Sequence, residues 1–411
     1  MRKILSILII GFGILFNMTA YADAPKTWTF LIFLNGDNSL DHYGEMNIKQ
    51  MEQVGSNDQV NVVVQWASMD AGKAVRMLIQ KSKDPDHVTS PIVQDLGRVD
   101  MGDVNSLKDF IQWGVQNYPA EHYFINVWDH GDGWHDLALR NHQRTLFQPH
   151  DISHDDFTGH VITTEQLGQA MVYAAQVIGH KVDIYGSDAC LMAMAEVANE
   201  MSNAVSISVG SEETEPGPGW PYTELLSDWE AIPQATPEQV AKTLVHDYVK
   251  SYQGGSNGTL FRITFAAFDL SNVALFDQAI ADFGTKIRFL NPAEQQQLLG
   301  AVKNSRHFFL NDYVDFLDFI KKLSATDVKL DPQIMAKVQD AATKVIIAHE
   351  ASIDYGDATG MSIWLPVERY TYDRDIARYK GLQFNAASHW GDTLDFLASN
   401  MNNYDPPVLR K

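Results

Sequence analysis

The sequence predicts an α/β fold: a mostly parallel central sheet with helices on both faces. Three observations predict it. Short, strongly apolar runs alternate along the chain with segments of helical periodicity; several of those runs read as fully buried strands; and the strands end in turn clusters rich in Gly, Asn, Asp and Ser.

Trp28 to Leu34 is the first such run, and it empties into the turn cluster Asn35-Gly36-Asp37-Asn38. A helical segment follows over about Tyr43 to Val54. Gln59 to Trp66 is a second strand, and Ala74 to Gln80 is expected to pair with it across the Met69-Asp70-Ala71-Gly72 turn. Leu107, Phe110, Ile111 and Val115 recur at helical spacing and lead into a strand over Tyr123 to Trp128. Beyond a long polar segment from His135 to His160, Thr163 to Gln166 forms a capping box. The helix it starts carries Leu167, Met171, Ala174 and Ile178 along one face, and Gly179 closes it. Lys181 to Tyr185 is a shorter strand, Leu191 to Ala198 a run of good helix formers, and Val205 to Val209 another strand. Thr236-Pro237-Glu238-Gln239 opens a helix that reaches about Tyr252.

Gln253 to Gly258 is the best boundary in the chain, so the expected division is a main domain over residues 23–255 and a C-terminal subdomain over 256–411. The second part is mainly helical: Asn272 to Phe289, Pro292 to Asn304, Tyr313 to Leu323 and Pro332 to His349, with capping residues at Asn291 and Asp331. Leu260 to Phe268 and Met361 to Leu365 are expected to return to the sheet as strands. Trp390, Leu394, Phe396 and Leu397 mark a last amphipathic helix.

Arg2-Lys3, the apolar run from Ile4 to Phe16 and the exit Ala20-Tyr21-Ala22 make a secretory signal peptide over residues 1–22, so an exported protein, periplasmic or secreted, is expected. No later stretch is long and apolar enough to span a bilayer. A net charge of −21 argues against nucleic acid as a partner, and against anionic membranes. A single cysteine, Cys190, excludes an internal disulfide; the fold must rest on its hydrophobic core.

Two strand ends carry the candidate chemistry. Tyr123 to Trp128 empties into Asp129-His130-Gly131-Asp132-Gly133-Trp134, and Lys181 to Tyr185 into Gly186-Ser187-Asp188-Ala189-Cys190. Ligands of open α/β sheets bind beyond the carboxyl ends of strands, where both groups fall. The helix formers after Cys190 place the thiol at a helix N-terminus, which with an imidazole nearby would favour thiolate, the attacking form of cysteine. The Gly/Pro-rich loop from Ser211 to Tyr222 either walls a cleft on the same edge, with Trp220 or Tyr222 as its apolar side, or is only a rigid connector; composition does not choose between them. The polar segment holds five histidines, His135, His142, His150, His154 and His160, with Asp151, Asp155 and Asp156. Their intervals match no zinc or calcium motif, so a solvated loop is expected and no metal ligand is assigned.

His130-Gly131-x-Gly133-Trp134 followed by Asp188-Ala189-Cys190-x-Met192 resembles the signature of the clostripain-like cysteine peptidases, relatives of caspases, legumains and gingipains. Glu215-Pro216-Gly217, Trp220-Pro221-Tyr222, the run from Asp312 to Phe316 and that from Gly360 to Pro366 add to the likeness. The resemblance implies a caspase-like α/β/α sandwich, His130 as general base and acid, Cys190 as nucleophile, and an oxyanion hole from the backbone N–H groups of Gly131 and Cys190. It implies protein or peptide substrates cut after Arg or Lys, with Asp188 as the pocket carboxylate and Glu215 as second candidate. It also implies self-cleavage in the His135 to His160 segment, Arg144 preferred and Arg140 next. The motif requires no cofactor, although some members need calcium. Two competing classes are a catalytically silent pseudo-peptidase that binds proteins through the Pro/Gly/Trp loop, and a metal-dependent hydrolase built on the histidine segment.

Overall fold

The computed structural model describes residues 25–84, 86–135, 151–232 and 234–401. Thirteen strands occur among them: β1 (Lys26–Gly36), β2 (Val60–Ser68), β3 (Lys73–Leu78), β4 (Ile92–Gly97), β5 (Ala120–Trp128), β6 (Val182–Asp188), β7 (Val205–Gly210), β8 (Gln253–Gly255), β9 (Gly258–Thr259), β10 (Thr264–Asp269), β11 (Tyr313–Asp315), β12 (Ile346–Ala351) and β13 (Ser362–Trp364). The helices are α1 (Asp41–Glu52), α2 (Val104–Asn117), α3 (Thr164–Ile178), α4 (Ala195–Met201), α5 (Tyr222–Glu230), α6 (Pro237–Ser251), α7 (Val273–Ile287), α8 (Pro292–Lys303), α9 (Phe316–Ser324), α10 (Pro332–Val345), α11 (Arg369–Tyr379), α12 (Gln383–Ser388) and α13 (Trp390–Ala398).

Nine strands form one sheet in the order β12-β10-β7-β6-β5-β1-β2-β3-β4. The centre, β7 to β2, is parallel, and two antiparallel strands complete each side. Alternation along the strands feeds two cores. Phe30, Ile32 and Leu34 of β1 pack with α1, α5 and α6, while Leu31 and Phe33 face α2, α3, α4 and the C-terminal helices. The predicted α/β architecture is thus observed as a sandwich, and central strands buried on both faces explain why their sequences are apolar throughout.

Capping boxes at Thr163, Thr236 and Asn291 start α3, α6 and α8, and Gly179 ends α3 in the left-handed conformation. Elsewhere the structure corrects the sequence reading. Met361 to Leu365 does not return to the main sheet: β13 pairs with β11 in a sheet of their own, so Tyr313 opens a strand before helix α9. The edge strand is instead β12, where the β-branched run Val345-Ile346-Ile347 ends the expected helix early. The break near residue 255 is the β8-β9 hairpin, and it does not bound the sheet, because β10 and β12 lie beyond it and join β7.

Candidate active site

The parallel strands β1, β5, β6 and β7 end at one edge, and register aligns the two turns that matter there. Trp128 pairs with Asp188, so His130 and Cys190 each follow two residues after a paired position on adjacent strands. Asp129 N–H donates to the Asp188 carbonyl at 3.2 Å, carrying the pairing one step into the loops. Gly131 then packs directly on the second turn: a Cβ there would stand 2.7 Å from the Cys190 carbonyl oxygen and 3.0 Å from Ala189 Cβ. Gly133 has φ +66, and a side chain would meet Met194 and Tyr313. The His-Gly-x-Gly spacing is therefore a close-approach requirement.

His130 is held from two sides. Asp129, fully buried, accepts from Asn35 Nδ2 at 2.9 Å and Asn38 Nδ2 at 2.6 Å, which fixes the turn. Ser39 Oγ lies 3.1 Å from His130 Nε2, engaging one ring nitrogen. Burial and the neighbouring His154 lower the imidazole pKa, outweighing Asp156. None of these partners, on β1 and in the turn after it, was read from sequence as functional; the only signal was their place at a parallel strand end.

Cys190 is half-buried, and its sulfur accepts from Glu215 N–H at 3.2 Å. The expected helix N-terminus is not there. Leu191 sits at φ +65, Leu191 N–H and Ala193 N–H donate to the carbonyls of Glu213 and Ser211, and α4 begins only at Ala195. Burial, then the charges of Glu215, Asp132 and Glu213, push the thiol up. Burial thus acts in the same sense on both groups, disfavouring the charged imidazolium and the charged thiolate alike.

Close to the sulfur lie the buried carboxyls of Asp188 and Glu215. Asp188 accepts from Tyr222 Oη at 2.7 Å and Trp220 N–H at 3.4 Å, and Gly219, at φ +64, leaves room for its carboxylate. Burial pushes Asp188 up to about 7, and burial with repulsion from Asp188 holds Glu215 well above the ordinary range. Neither Glu215 oxygen, nor Trp220 Nε1, nor Tyr248 Oη makes a hydrogen bond of good geometry. Among the described residues, no lysine or arginine is one of the main groups that shift either carboxyl. Trp220 and Tyr222 are themselves fully buried, so neither is the open cleft wall that sequence allowed; both hold the Asp188 carboxyl from within the core.

Where the histidine segment is described, His135 and Asp151 to Asp155 are buried and Asp156 to His160 are exposed, so the expected solvated loop is found only in its last part. His135 stacks on Tyr313, its Nε2 3.0 Å from Asp375 and 3.7 Å from Asp312. These three are the one group of described residues whose donor atoms converge as a metal site would need. Arg374 pairs with Asp375 and Trp364 Nε1 donates to Asp312 at 2.9 Å, so protein groups already answer both carboxylates. Arg140, Arg144, His142 and His150 lie outside the described residues.

A model of the clostripain family, Peptidase_C11, matches residues 32–396. No curated protein matches the chain. Three similar solved structures each cover 89% of it. A secreted C11 cysteine protease from Bacteroides thetaiotaomicron in complex with an irreversible peptide inhibitor has 18% identity and a TM-score of 0.63 over 99% of its own chain. An inactive zymogen C11 protease from Parabacteroides distasonis has 17% and 0.68 over 99%. The secreted C11 cysteine protease "iotapain" from Bacteroides thetaiotaomicron has 14% and 0.67 over 100%. At such identities the structural likeness speaks for the fold.

Proposed function

The chain belongs to the clostripain family of cysteine peptidases, and from that premise we propose an exported endopeptidase that cuts after Arg or Lys with a Cys190-His130 dyad. His130 takes the thiol proton as sulfur attacks the carbonyl carbon. The oxyanion forms against the N–H groups of Gly131 and Cys190. As the C–N bond breaks, His130 returns the proton to the leaving amine. Water then attacks the thioester with His130 again as base, releasing the carboxylate product and the thiol.

The observation that supports the specificity is the buried Asp188-Glu215 pair: two carboxyls close to the nucleophile, with no basic partner among the described residues, each held toward its neutral form. A guanidinium or ammonium entering there meets two acceptors and relieves their repulsion. Asp188 and Glu215 form the pocket floor, and Trp220 a side wall.

Export, to the periplasm or beyond the cell, follows from the leader-like residues 1–22 and agrees with two similar proteins being described as secreted. Self-cleavage within His135 to His160, at Arg144 or Arg140, gains support from another being described as an inactive zymogen. Calcium remains a candidate cofactor through family resemblance alone.

The test is hydrolysis of reporter peptides ending in Arg, Lys, Asp, Leu or Phe. Cys190→Ala and His130→Ala should abolish cleavage. Asp188→Asn should cut kcat/KM on Arg peptides ~100-fold, the ~3 kcal/mol expected for removing one partner of a buried charge contact. A preference for acidic or apolar residues at the cleaved position would refute the pocket assignment.

A further inference from the structure

The topology fixes the direction in which a substrate lies. The imidazole must hand its proton to the leaving amine, so the leaving half of the peptide lies toward β5 and β1, where His130 stands. The acyl half runs the other way, past the ends of β6 and β7 toward β10 and β12. β10 is antiparallel to β7, with Ala266 opposite the last β7 residue, Gly210; β12 is antiparallel to β10, with Ala351 opposite Thr264. The segments before β10 and after β12 therefore emerge at the catalytic edge.

Those segments carry apolar side chains in solvent. Leu260 is 41% exposed, Phe261 57% and Ile353 86%. They do not sit on loose chain. Ser352 N–H donates to the Ile263 carbonyl at 2.8 Å, Ile263 N–H to Ser352 Oγ at 3.1 Å, and Ser352 Oγ to the Phe261 carbonyl, while Ser352 and Ile263 are buried beneath. Adjacent strands are about 4.8 Å apart and an extended peptide advances about 3.3 Å per residue, so β10 and β12, two and three strands from β6, lie about three to four residues upstream of the cleaved bond.

Resting on the basic-pocket reading, we propose that Leu260, Phe261 and Ile353 form a second specificity subsite. It takes a bulky apolar side chain at the third or fourth residue upstream of the cleaved bond. Burying such a side chain against three exposed apolar ones removes both surfaces from water, and their place at the same sheet edge as Cys190 makes the substrate's own upstream residues the occupant. The chain's expected processing sites differ on this count. Leu137 is the fourth residue upstream of a cut after Arg140, whereas Asn141 holds that place for a cut after Arg144.

The test is a series of fluorogenic peptides with Arg at the cleaved position and Phe, Leu, Ser, Asp or Lys at the third and fourth upstream positions. Phe or Leu should raise kcat/KM ~10-fold over Ser, the usual discrimination of one apolar contact. The Phe-to-Ser ratio should fall toward one in Phe261→Asp and Ile353→Asp. Of two peptides copied from the chain, ending in Leu137-Ala138-Leu139-Arg140 and in Asn141-His142-Gln143-Arg144, the first should be cut faster. Cleavage with a flat series, the reverse order of those peptides, or an acidic preference, which would give the role to neighbouring Arg262, overturns the subsite alone. No cleavage of any Arg peptide overturns the pocket reading and the subsite together.

Discussion

At Asp188 the usual relation between a carboxyl and stability is inverted. Most carboxylates are held below their ordinary pKa by partners, so the folded state gains stability as pH rises. Burial pushes Asp188 up to about 7 from 3.8. Its proton is therefore bound more tightly in the folded chain than in the unfolded one, and its contribution to stability is full at low pH and lost as pH rises through the window between those values. Replacing it with Asn, which keeps polarity but not charge, should remove that slope. The expected result is that the melting temperature of Asp188→Asn gains on wild type between pH 5 and pH 8; an unchanged difference would show that the carboxyl is not held protonated. The residue types were legible in the sequence, since Cys190 is the sole cysteine and His130 is flanked by glycine. Their helpers were not. Ser39, Asn35 and Asn38 reach His130 and Asp129 only because β1 pairs with β5, a contact across some ninety positions.

Elements whose signals are local were read correctly, and those decided by tertiary pairing only in part: β3 beside β2 and β10 in the sheet were expected, while β12 and the β11-β13 pair were not. Side chain and backbone of one helical turn suffice for the capping boxes at Thr163, Thr236 and Asn291. Leu191-Met192-Ala193 has good helix propensity, but its N–H groups are taken by Glu213 and Ser211 carbonyls, so the nucleophile sits on a tight turn. Nothing local announces that pairing. The turn is fitted to its neighbour across the β5-β6 register, and Gly131 is where the fit is closest. Gly131→Ala sets a methyl 2.7 Å from the Cys190 carbonyl and must push the turns apart. We expect kcat to fall ~100-fold, as for a misplacement of about 1 Å between reacting groups. Melting temperature should fall by only a few degrees, because the strands below are untouched. Near-normal turnover would mean that the two turns do not act as one site.

The whole molecule was the scale least legible in sequence. A Gly-rich break at Gln253 to Gly258 has the composition of a domain boundary; the return of β10 across it was legible as an apolar run, whereas that of β12 is seen only in the sheet. The same interleaving bears on processing. Any cut between residues 136 and 150 leaves β1 to β5 on one fragment and β6 onward on the other, yet β5 and β6 are hydrogen-bonded neighbours at the sheet centre. Helix α11 holds both flanks of that interval: Asp375 meets His135 at 3.0 Å, and Arg378 meets Asp151 at 2.7 Å and Glu165 at 2.8 Å. One hydrophobic core runs from Leu31 to Met401 across the cut. Severing the chain there leaves every strand pairing among the described residues in place, so the fragments should run as two bands on a denaturing gel and co-elute at the intact mass without denaturant. Arg378→Ala should lower the melting temperature of the cut form more than that of the uncut one, because only the cut form relies on α11 to keep the flanks in register. Separation of the fragments in native buffer would mean that the central β5-β6 ladder needs the peptide link, contrary to a sheet closed by its own hydrogen bonds and two apolar faces.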